Sequence, residues 1–460
     1  MHRLSSRLAL IAVAAASLLL PAIASAKATP AEISSARTKG VEYLKGLQKA
    51  SGEIPGFGGD WALASLAAAG TAPADVNKGG GETTDARSWY EGVVGVPTWP
   101  GAEPVATDFE KAALLSYAAG TDPARVAKRQ NLIAKVYSYA QSGSPGYYGS
   151  TFNSTVFGLL ALAGAKTTAG ATRVPKAVLD QAVAAIKANQ HTDGGWTWEI
   201  AAGNETALKK ASEPDMTGAA MAALCGAGVG SGETTIANAK KYLAAILDAP
   251  TGAFKSEFGV NTDSTAWAVD GLKACGIDPQ AAEFTAEGSK TPLTFLISQQ
   301  LSKGGGFKYL PGGSTADEYA SQDAIRALGG GGFTAAPPKP AKGPQWKGVT
   351  EFATGAAETA SLGLVVDDGT TAKVCAVALA PKATTTNLAT VLDAAVAGTT
   401  PSGCVSGYLP GSGEGAITQV NGFPAAPAER WKVSIDGAAL ATAKRGTAIA
   451  VGDTIYLKYE

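Results

Sequence analysis

The chain is poor in the side chains that most chemistry uses: two histidines, four cysteines and three methionines in 460 residues. Charge is scarce too, at 17% of residues, and 38 basic against 39 acidic groups leave a net charge of −1. Lys and Arg are scattered rather than bunched, so no stripe tracks a phosphate backbone and nucleic acid is not an expected partner. No Cys belongs to a C-x-x-C pair and none is followed by Gly-Glu-Gln, which sets aside thiolate metal sites and an internal thioester. Neither G-x-x-x-x-G-K-[ST] nor a strand-borne G-x-G-x-x-G occurs, so the many glycines are not phosphate cradles. What is abundant is Gly, 57 residues, together with 45% apolar residues, and that composition excludes a disordered chain.

Residues 1–26 carry Arg3 and Arg7, an apolar run from Leu8 to Ala24, and a closing Ala24-Ser25-Ala26, the pattern of a signal peptide cleaved before Lys27. No second apolar span follows, so the mature chain is expected to be secreted or cell-surface associated, without a membrane span. Losing His2 leaves His191 alone, too few imidazoles for a His-rich zinc site. Export also favours disulfides for Cys225, Cys275, Cys375 and Cys404, with three connectivities open to sequence alone.

A short polar start, an Ala/Leu-rich stretch and a closing glycine recur six times, at residues 60–70, 107–120, 152–164, 214–228, 262–276 and 316–330. Each copy has an Asp or Asn near its start (Asp60, Asp108, Asn153, Asp215, Asp263, Asp317), which predicts a helix N-cap there. Between the copies, residues 34–50, 83–94, 125–141, 175–190, 234–247 and 291–300 supply the partner helices of six hairpins. The Ala-rich helices are apolar nearly all round and suit an inner layer; their Lys-bearing partners suit an outer one. Two concentric layers of six helices form an α6/α6 toroid.

The loops entering the inner helices carry Gln190 with Gly194 and Trp196, Gln300 with Gly304 and Phe307, and Gln48 ahead of Gly56-Phe57-Gly58-Gly59. This Q-x3-G-x-W element resembles the QW repeat of terpenoid cyclases and protein prenyltransferases, whose barrel it helps fasten. The resemblance covers roughly residues 30–330 and implies structural duty for Trp196 and Phe307. The same loops gather Tyr147, Tyr148, Trp198, Phe254, Phe258 and Tyr309 at one mouth, where a concave apolar surface is the usual form of a small-molecule site.

Residues 331–345, rich in Gly and Pro, read as a linker, and the remainder, 346–460, turns to strands at 361–366, 372–379, 430–435 and 454–459 with one helix near 387–396. The segments Thr386–Leu392, Ile417–Gly422, Trp431–Gly437 and Val451–Ile455 resemble the small β domain that follows the barrel in transcobalamin and intrinsic factor. The fold class is thus mainly α plus a small β (α+β) domain. The resemblance implies a large, mostly apolar ligand, a corrinoid above all, between barrel mouth and β domain, with Tyr408 and Trp431 contributed by the latter and His191 a candidate axial ligand. Pairing within domains, Cys225 with Cys275 and Cys375 with Cys404, follows from the two-domain division.

Enzymatic readings are thinner. Squalene-type cyclases use a D-x-D-D-T-A acid segment; the nearest counterpart identified is Glu213-Pro-Asp215-Met-Thr-Gly218, which makes Asp215 the candidate acid of a cyclase-like alternative. Prenyltransferase zinc is excluded by the single His. A cell-surface interaction module with a protein partner is the third reading.

Overall fold

The computed structural model describes residues 27–55, 61–78, 84–95, 99–126, 130–166, 170, 172–341, 361–378, 385–397, 404–410, 417–424, 431–441 and 444–460. The leader at 1–26, Phe57, Asp60 and the start of the second domain at Trp346 lie outside the described residues. Helices alternate between two layers. The outer ones are α1 (Pro30–Leu47), α3 (Ala86–Val94), α5 (Leu132–Tyr137), α7 (Lys176–Ala188), α9 (Thr234–Ala245) and α11 (Pro292–Ser298). The inner ones are α2 (Trp61–Ala68), α4 (Ala106–Ala119), α6 (Phe152–Gly164), α8 (Pro214–Gly226), α10 (Thr262–Ala274) and α12 (Glu318–Leu328). Each inner helix touches its two inner neighbours and α12 returns to α2, so the ring closes.

The layering follows composition. In α2 every residue from Ala62 to Ala68 is buried, whereas 18-residue α1 buries only Ala36, Gly40, Val41 and Leu44. A helix apolar on all sides is stable only when surrounded. The tightest crossing is α8 on α10, where a Cβ on Gly218 would stand 2.1 Å from the Trp267 carbonyl oxygen, so only glycine fits. The Cys225–Cys275 disulfide ties the far ends of the same two helices.

The glutamine loops fasten one layer to the next. Gln190 Nε2 donates to the carbonyls of Gly194 and Thr235 (both 2.8 Å), and Gln300 Nε2 to those of Gly305 (2.8 Å) and Ala36 (2.7 Å), the second of which brings α11 back to α1. Gly305, at φ 79°, would place a Cβ 2.5 Å from the Lys39 carbonyl oxygen. Trp196 and Phe307 are fully buried, and Trp196 Nε1 donates to the Ile186 carbonyl at 2.9 Å. These residues hold the barrel together.

The N-cap expectation is corrected at most positions. Only Asp317 among the described copies is a cap, accepting from Ala320 N at 2.9 Å. Asp215, Asp263 and Asn153 stand second in α8, α10 and α6, and Asp108 third in α4; the caps are Glu213, Asn261, Thr151 and Val105. Acidic residues are favoured both at the cap and in the first turn, where they meet the positive end of the helix dipole, so spacing alone did not separate the two.

Beyond α12 the chain does not leave the toroid. A 3-10 turn, Gly332–Thr334, touches α2, α4, α6, α10 and α12, and Phe333 is 2% exposed. The first residues of the segment read as a linker are therefore part of the ring's core.

A short hairpin, β1 (Lys255–Ser256) with β2 (Gly259–Val260), ends the α9–α10 loop. The later strands are β3 (Ser361–Asp367), β4 (Ala372–Ala378), β5 (Thr385–Asn387), β6 (Tyr408–Pro410), β7 (Ile417–Val420), β8 (Phe423–Pro424), β9 (Trp431–Ile435), β10 (Ala438–Ala439), β11 (Ala448–Ala450) and β12 (Thr454–Tyr459), with helix α13 (Leu388–Ala397). The main sheet runs β10-β9-β12-β3-β4, with β12 and β3 parallel. Every residue of β3 is buried. Its alternation explains why: Leu362, Leu364 and Val366 join the core under α13, while Val365, with Ala372 and Val374 of β4, joins the core of the helical ring. A second disulfide links Cys375 and Cys404.

The sheet docks on the flank of the ring, against α5 and α7. Arg173, 3% exposed, donates to Asp436 Oδ2 (2.8 Å), the Gly452 carbonyl (2.7 Å) and Asp122 Oδ2 (3.0 Å), and Arg125 Nη2 reaches Asp453 Oδ1 at 2.9 Å. Among the described residues the sheet thus lies beside the outer layer, not across the mouth as expected. No described helix is long and apolar enough to cross a membrane.

Candidate functional site: the toroid mouth

Helices α2, α6 and α10 are not neighbours in the ring, so side chains from all three can meet only across its axis. They do meet. Ring centroids of Trp61 and Phe157 are 6.0 Å apart, of Phe157 and Trp267 5.8 Å, and of Trp61 and Trp267 6.1 Å. Phe333 enters this cluster at 4.7 Å from Trp267 and 5.4 Å from Trp61. The Arg326 guanidinium stacks 4.2 Å from the Phe333 centroid, with Nε on Asp270 Oδ2 and Nη1 on Asp323 Oδ1, both at 2.6 Å. Trp267 Nε1 donates to the other Asp323 oxygen at 2.8 Å. The bore at this level is occupied by the protein's own side chains. Burial raises the Asp270 carboxyl to about 6 even though Arg326 opposes the shift.

Above this floor lies a layer of carboxylates. Asp263 precedes Trp267 by four residues, one turn or about 6 Å nearer the N-terminal end of α10. Burial pushes its carboxyl up to about 8, aided by Asp323, Asp317 and Asp215 and only partly opposed by Arg326. One of its oxygens is buried with no hydrogen-bond partner among the described residues. Asp215 is also raised by burial, while a hydrogen bond from Ser264 holds it back. An acid that stays protonated near neutrality can donate a proton or a hydrogen bond; an ionised neighbour accepts one.

The rim is apolar. Trp198 (52% exposed) and Ile200 stand on the α7–α8 loop, Phe258 (72%) at the tip of the β1–β2 hairpin, and Leu310 on the α11–α12 loop. Adjacent loops are stitched through the backbone, Phe152 N to the Trp198 carbonyl (3.1 Å) and Thr262 N to the Tyr309 carbonyl (2.9 Å). Tyr309 is half-buried, its hydroxyl raised by burial and then by Asp263 and Asp215. Trp198, Phe258 and Tyr309 are thus available at the mouth.

Other expected contact residues are committed elsewhere. Tyr148 is 1% exposed and Phe254 fully buried against Phe284, because these residues bridge back to Ala140 and Leu247 and turn their rings into the ring wall. Tyr147 is half-buried, its hydroxyl accepting from Asn189 Nδ2 at 2.8 Å. Trp431 is 3% exposed and packs on Tyr459, and the Tyr408 hydroxyl donates to Asp393; both belong to the sheet's own surroundings.

His191 is not an exposed mouth residue. It is 4% exposed, with Nδ1 2.9 Å from the Lys210 carbonyl oxygen, and it is the only His among the described residues. An imidazole so enclosed does not present a nitrogen to a cobalt at the mouth, so the residues present do not fit a corrinoid ligated through His191. The important residues that sequence reasoning missed are Asp263, Trp267, Arg326 and Phe333. A signal for the first existed: Asn261-Thr-Asp263-Ser-Thr265-Ala266 keeps the central Asp, the Thr and the Ala of D-x-D-D-T-A better than residues 213–218 do.

No protein-family model matches the chain, and no curated protein does. Among solved structures it is similar to the type II terpene cyclase MstE from Scytonema, at 14% identity over 65% of this chain and 98% of that one, with a TM-score of 0.40. It is also similar to protein geranylgeranyltransferase-I of Candida albicans complexed with GGPP (16% identity, 49% and 66% covered, TM-score 0.32). Haptocorrin in complex with Cbi matches over most of both chains (11% identity, 94% and 98% covered, TM-score 0.35).

Proposed function

We propose that the protein is an exported binding protein, with a toroid domain at 27–330 and a β domain at 346–460, that takes a mainly apolar small molecule at the toroid mouth. The observation that carries this reading is the rim: four large apolar side chains left exposed on three loops around one opening, an arrangement that marks a binding surface. The filled bore beneath favours seating a ligand over threading a long chain inward. Export is supported by the leader pattern and by two disulfides, which persist in oxidising compartments. A corrinoid held by its apolar faces, without His191 on the metal, is one form of the proposal.

The test uses residues 27–460, with 8-anilinonaphthalene-1-sulfonate as apolar probe and cobinamide and cobalamin as corrinoids, each followed by retention on gel filtration. The Trp198→Ala/Phe258→Ala double variant is expected to lose at least tenfold in probe affinity. Unchanged affinity overturns the mouth as the site, and a corrinoid that is not retained removes that form of the reading.

A second reading has its own observation. Asp263, held protonated near neutrality above an aromatic floor that would stabilise a developing cation, suits a cyclase-like general acid. Turnover of a polyprenyl substrate that is lost in Asp263→Asn and retained in Asp215→Asn is its expected result; no turnover by the unaltered protein discards it.

A further inference from the structure

Ring closure has a second fastening, between residues far apart in the chain. Gln280, on the α10–α11 loop, grips the backbone of Ala28 with both ends of its carboxamide: Oε1 accepts from Ala28 N at 2.7 Å and Nε2 donates to the Ala28 carbonyl at 3.1 Å. The hydroxyl of Thr291, the N-cap of α11, donates to the same Oε1 at 3.1 Å and orients it. Ala28 is buried, and it ties the start of α1 to the last hairpin of the ring across 252 residues. Thr29 is committed as well. Its N–H donates to Glu32 Oε2 at 2.8 Å in the capping box of α1, and its carbonyl accepts from Ile33 N at 3.0 Å. All four main-chain groups of Ala28 and Thr29 are thus engaged, whereas Lys27 ahead of them is exposed. Only this one residue separates the clamp from the Ala26–Lys27 bond at which the leader pattern places cleavage.

A protease holds the chain around its scissile bond as an extended strand, pairing with main-chain groups. In the folded ring Ala28 and Thr29 cannot offer those groups unless the Gln280 clamp opens. One extended residue spans about 3.5 Å, too short a tether to carry the bond away from the ring into an enzyme cleft. Cleavage of a folded precursor therefore proceeds only through the open population. Two hydrogen bonds and a buried methyl hold that population down by on the order of tenfold or more. The clamp cannot form until residue 280 has emerged, and at roughly 5–20 residues per second the 252 intervening residues take about 13–50 s to synthesise. Two further features suit a chain that crosses before it folds. Arg3 and Arg7 are separated by Leu-Ser-Ser, so the leader lacks the paired arginines of the route that carries folded proteins. Both disulfides, one of them joining α8 to α10 inside the ring, need the oxidising side.

We propose, resting on the export reading, that this chain is threaded out unfolded and that its leader is hydrolysed at Ala26–Lys27 before Ala28 seats on Gln280. Water is the co-reactant, leaving a carboxylate on Ala26 and an ammonium on Lys27. The clamp then seals the new terminus to the ring.

The experiment compares three substrates of a type I signal peptidase. They are a synthetic peptide of residues 15–34, the full precursor 1–460 refolded and oxidised to match the Trp fluorescence of 27–460, and that precursor with a Gly-Ser-Gly-Ser spacer between Ala26 and Lys27. Peptide and spacer precursor should be cut after Ala26 at similar rates, and the folded precursor at least tenfold more slowly. Gln280→Ala should recover at least threefold of that loss; the spacer leaves the ring untouched and decides the matter should this variant not fold. A folded precursor cut as fast as the peptide, or a spacer precursor as resistant as the unaltered one, overturns the proposal. A peptide that is not cut overturns the export reading and this proposal with it, a failure distinct from the other two.

Discussion

Arg173→Ala tests whether ring and sheet form one cooperative unit. The Arg173 side chain is 2% exposed and its two carboxylate partners, Asp122 and Asp436, are 25% and 18% exposed, so the substitution strands two partly buried charges and the Gly452 carbonyl at once. Breaking a buried ion pair from one side costs about 3–5 kcal/mol. Water can reach Asp122 and Asp436 in part, which places the expected loss near the lower end, at about 3 kcal/mol. Arg125, 45% exposed against Asp453, adds at most about 1 kcal/mol and cannot substitute for it. The pH dependence carries the sharper signature. Asp436 is already raised by burial despite Arg173, so removing the cation raises it further. A folded-state carboxyl raised above its unfolded value contributes stability that is lost as pH rises, so the penalty of Arg173→Ala should be smaller at pH 4 than at pH 7. Urea unfolding followed by far-ultraviolet dichroism and Trp fluorescence provides the assay. The unaltered protein should give one transition and the variant two, with Arg173→Lys between them because a point charge cannot span three acceptors. A loss under about 0.5 kcal/mol, or a penalty that grows on acidification, refutes the reasoning.

Three further outcomes follow from the packing of the ring. Replacing Cys225 and Cys275 by Ser opens a 50-residue separation, which the chain-entropy account values at about 4 kcal/mol, read as a lower urea midpoint with a steeper slope, because the released denatured chain expands and exposes more surface. Gly218→Ala would drive a Cβ to 2.1 Å from backbone, not from a side-chain tip that could swing away, so a loss of about 3 kcal/mol is expected; a neutral result would mean that α8 and α10 can separate freely. Asp263→Asn should leave the melting temperature unchanged near pH 4 and raise it increasingly up to about pH 8, because the folded protein favours the neutral acid and forfeits that preference as pH climbs from 3.8 toward 8. A gain that shrinks with pH would contradict the burial of that carboxyl.

The toroid was readable because its signals are local and repeated. A helix such as α8, apolar on every face and entered through a Gln-Gly-aromatic loop, has no stable place outside an inner layer, and six such copies leave little freedom in how they close. The strands β3, β4, β9 and β12 fall within one or two residues of their expected positions for the same reason: alternation and turn residues are nearest-neighbour facts. The α5 helix shows the limit. The pattern over 125–141 suggested a long outer helix, yet among the described residues only Leu132–Tyr137 is helical, because the flanking residues serve the seam between ring and sheet: Asn131 donates to the Ser361 carbonyl and Arg125 to Asp453. Tertiary contacts outweigh helical periodicity there.

The site was legible only as a list of residue types, and the reason is geometric. Trp61, Phe157 and Trp267 lie about a hundred residues apart in sequence, and nothing in their spacing says that three alternate helices aim them at one axis. Phe333 was hidden further, inside a Gly/Pro-rich stretch whose composition reads as a linker while one buried aromatic anchors it in the ring. The consequence concerns mechanism as much as topology. With Phe333 and the Asp270–Arg326–Asp323 cluster closing the bore, a ligand at the mouth meets a rigid floor bearing a compensated guanidinium, and above it a carboxyl that gives up its proton only near pH 8. Whatever binds there must bring apolar surface for the rim and either accept a hydrogen bond from protonated Asp263 or carry a cation strong enough to ionise it. The two cases differ in sign: the first loses affinity as pH rises through 8, the second releases a proton on binding below 8 and tightens as pH approaches it.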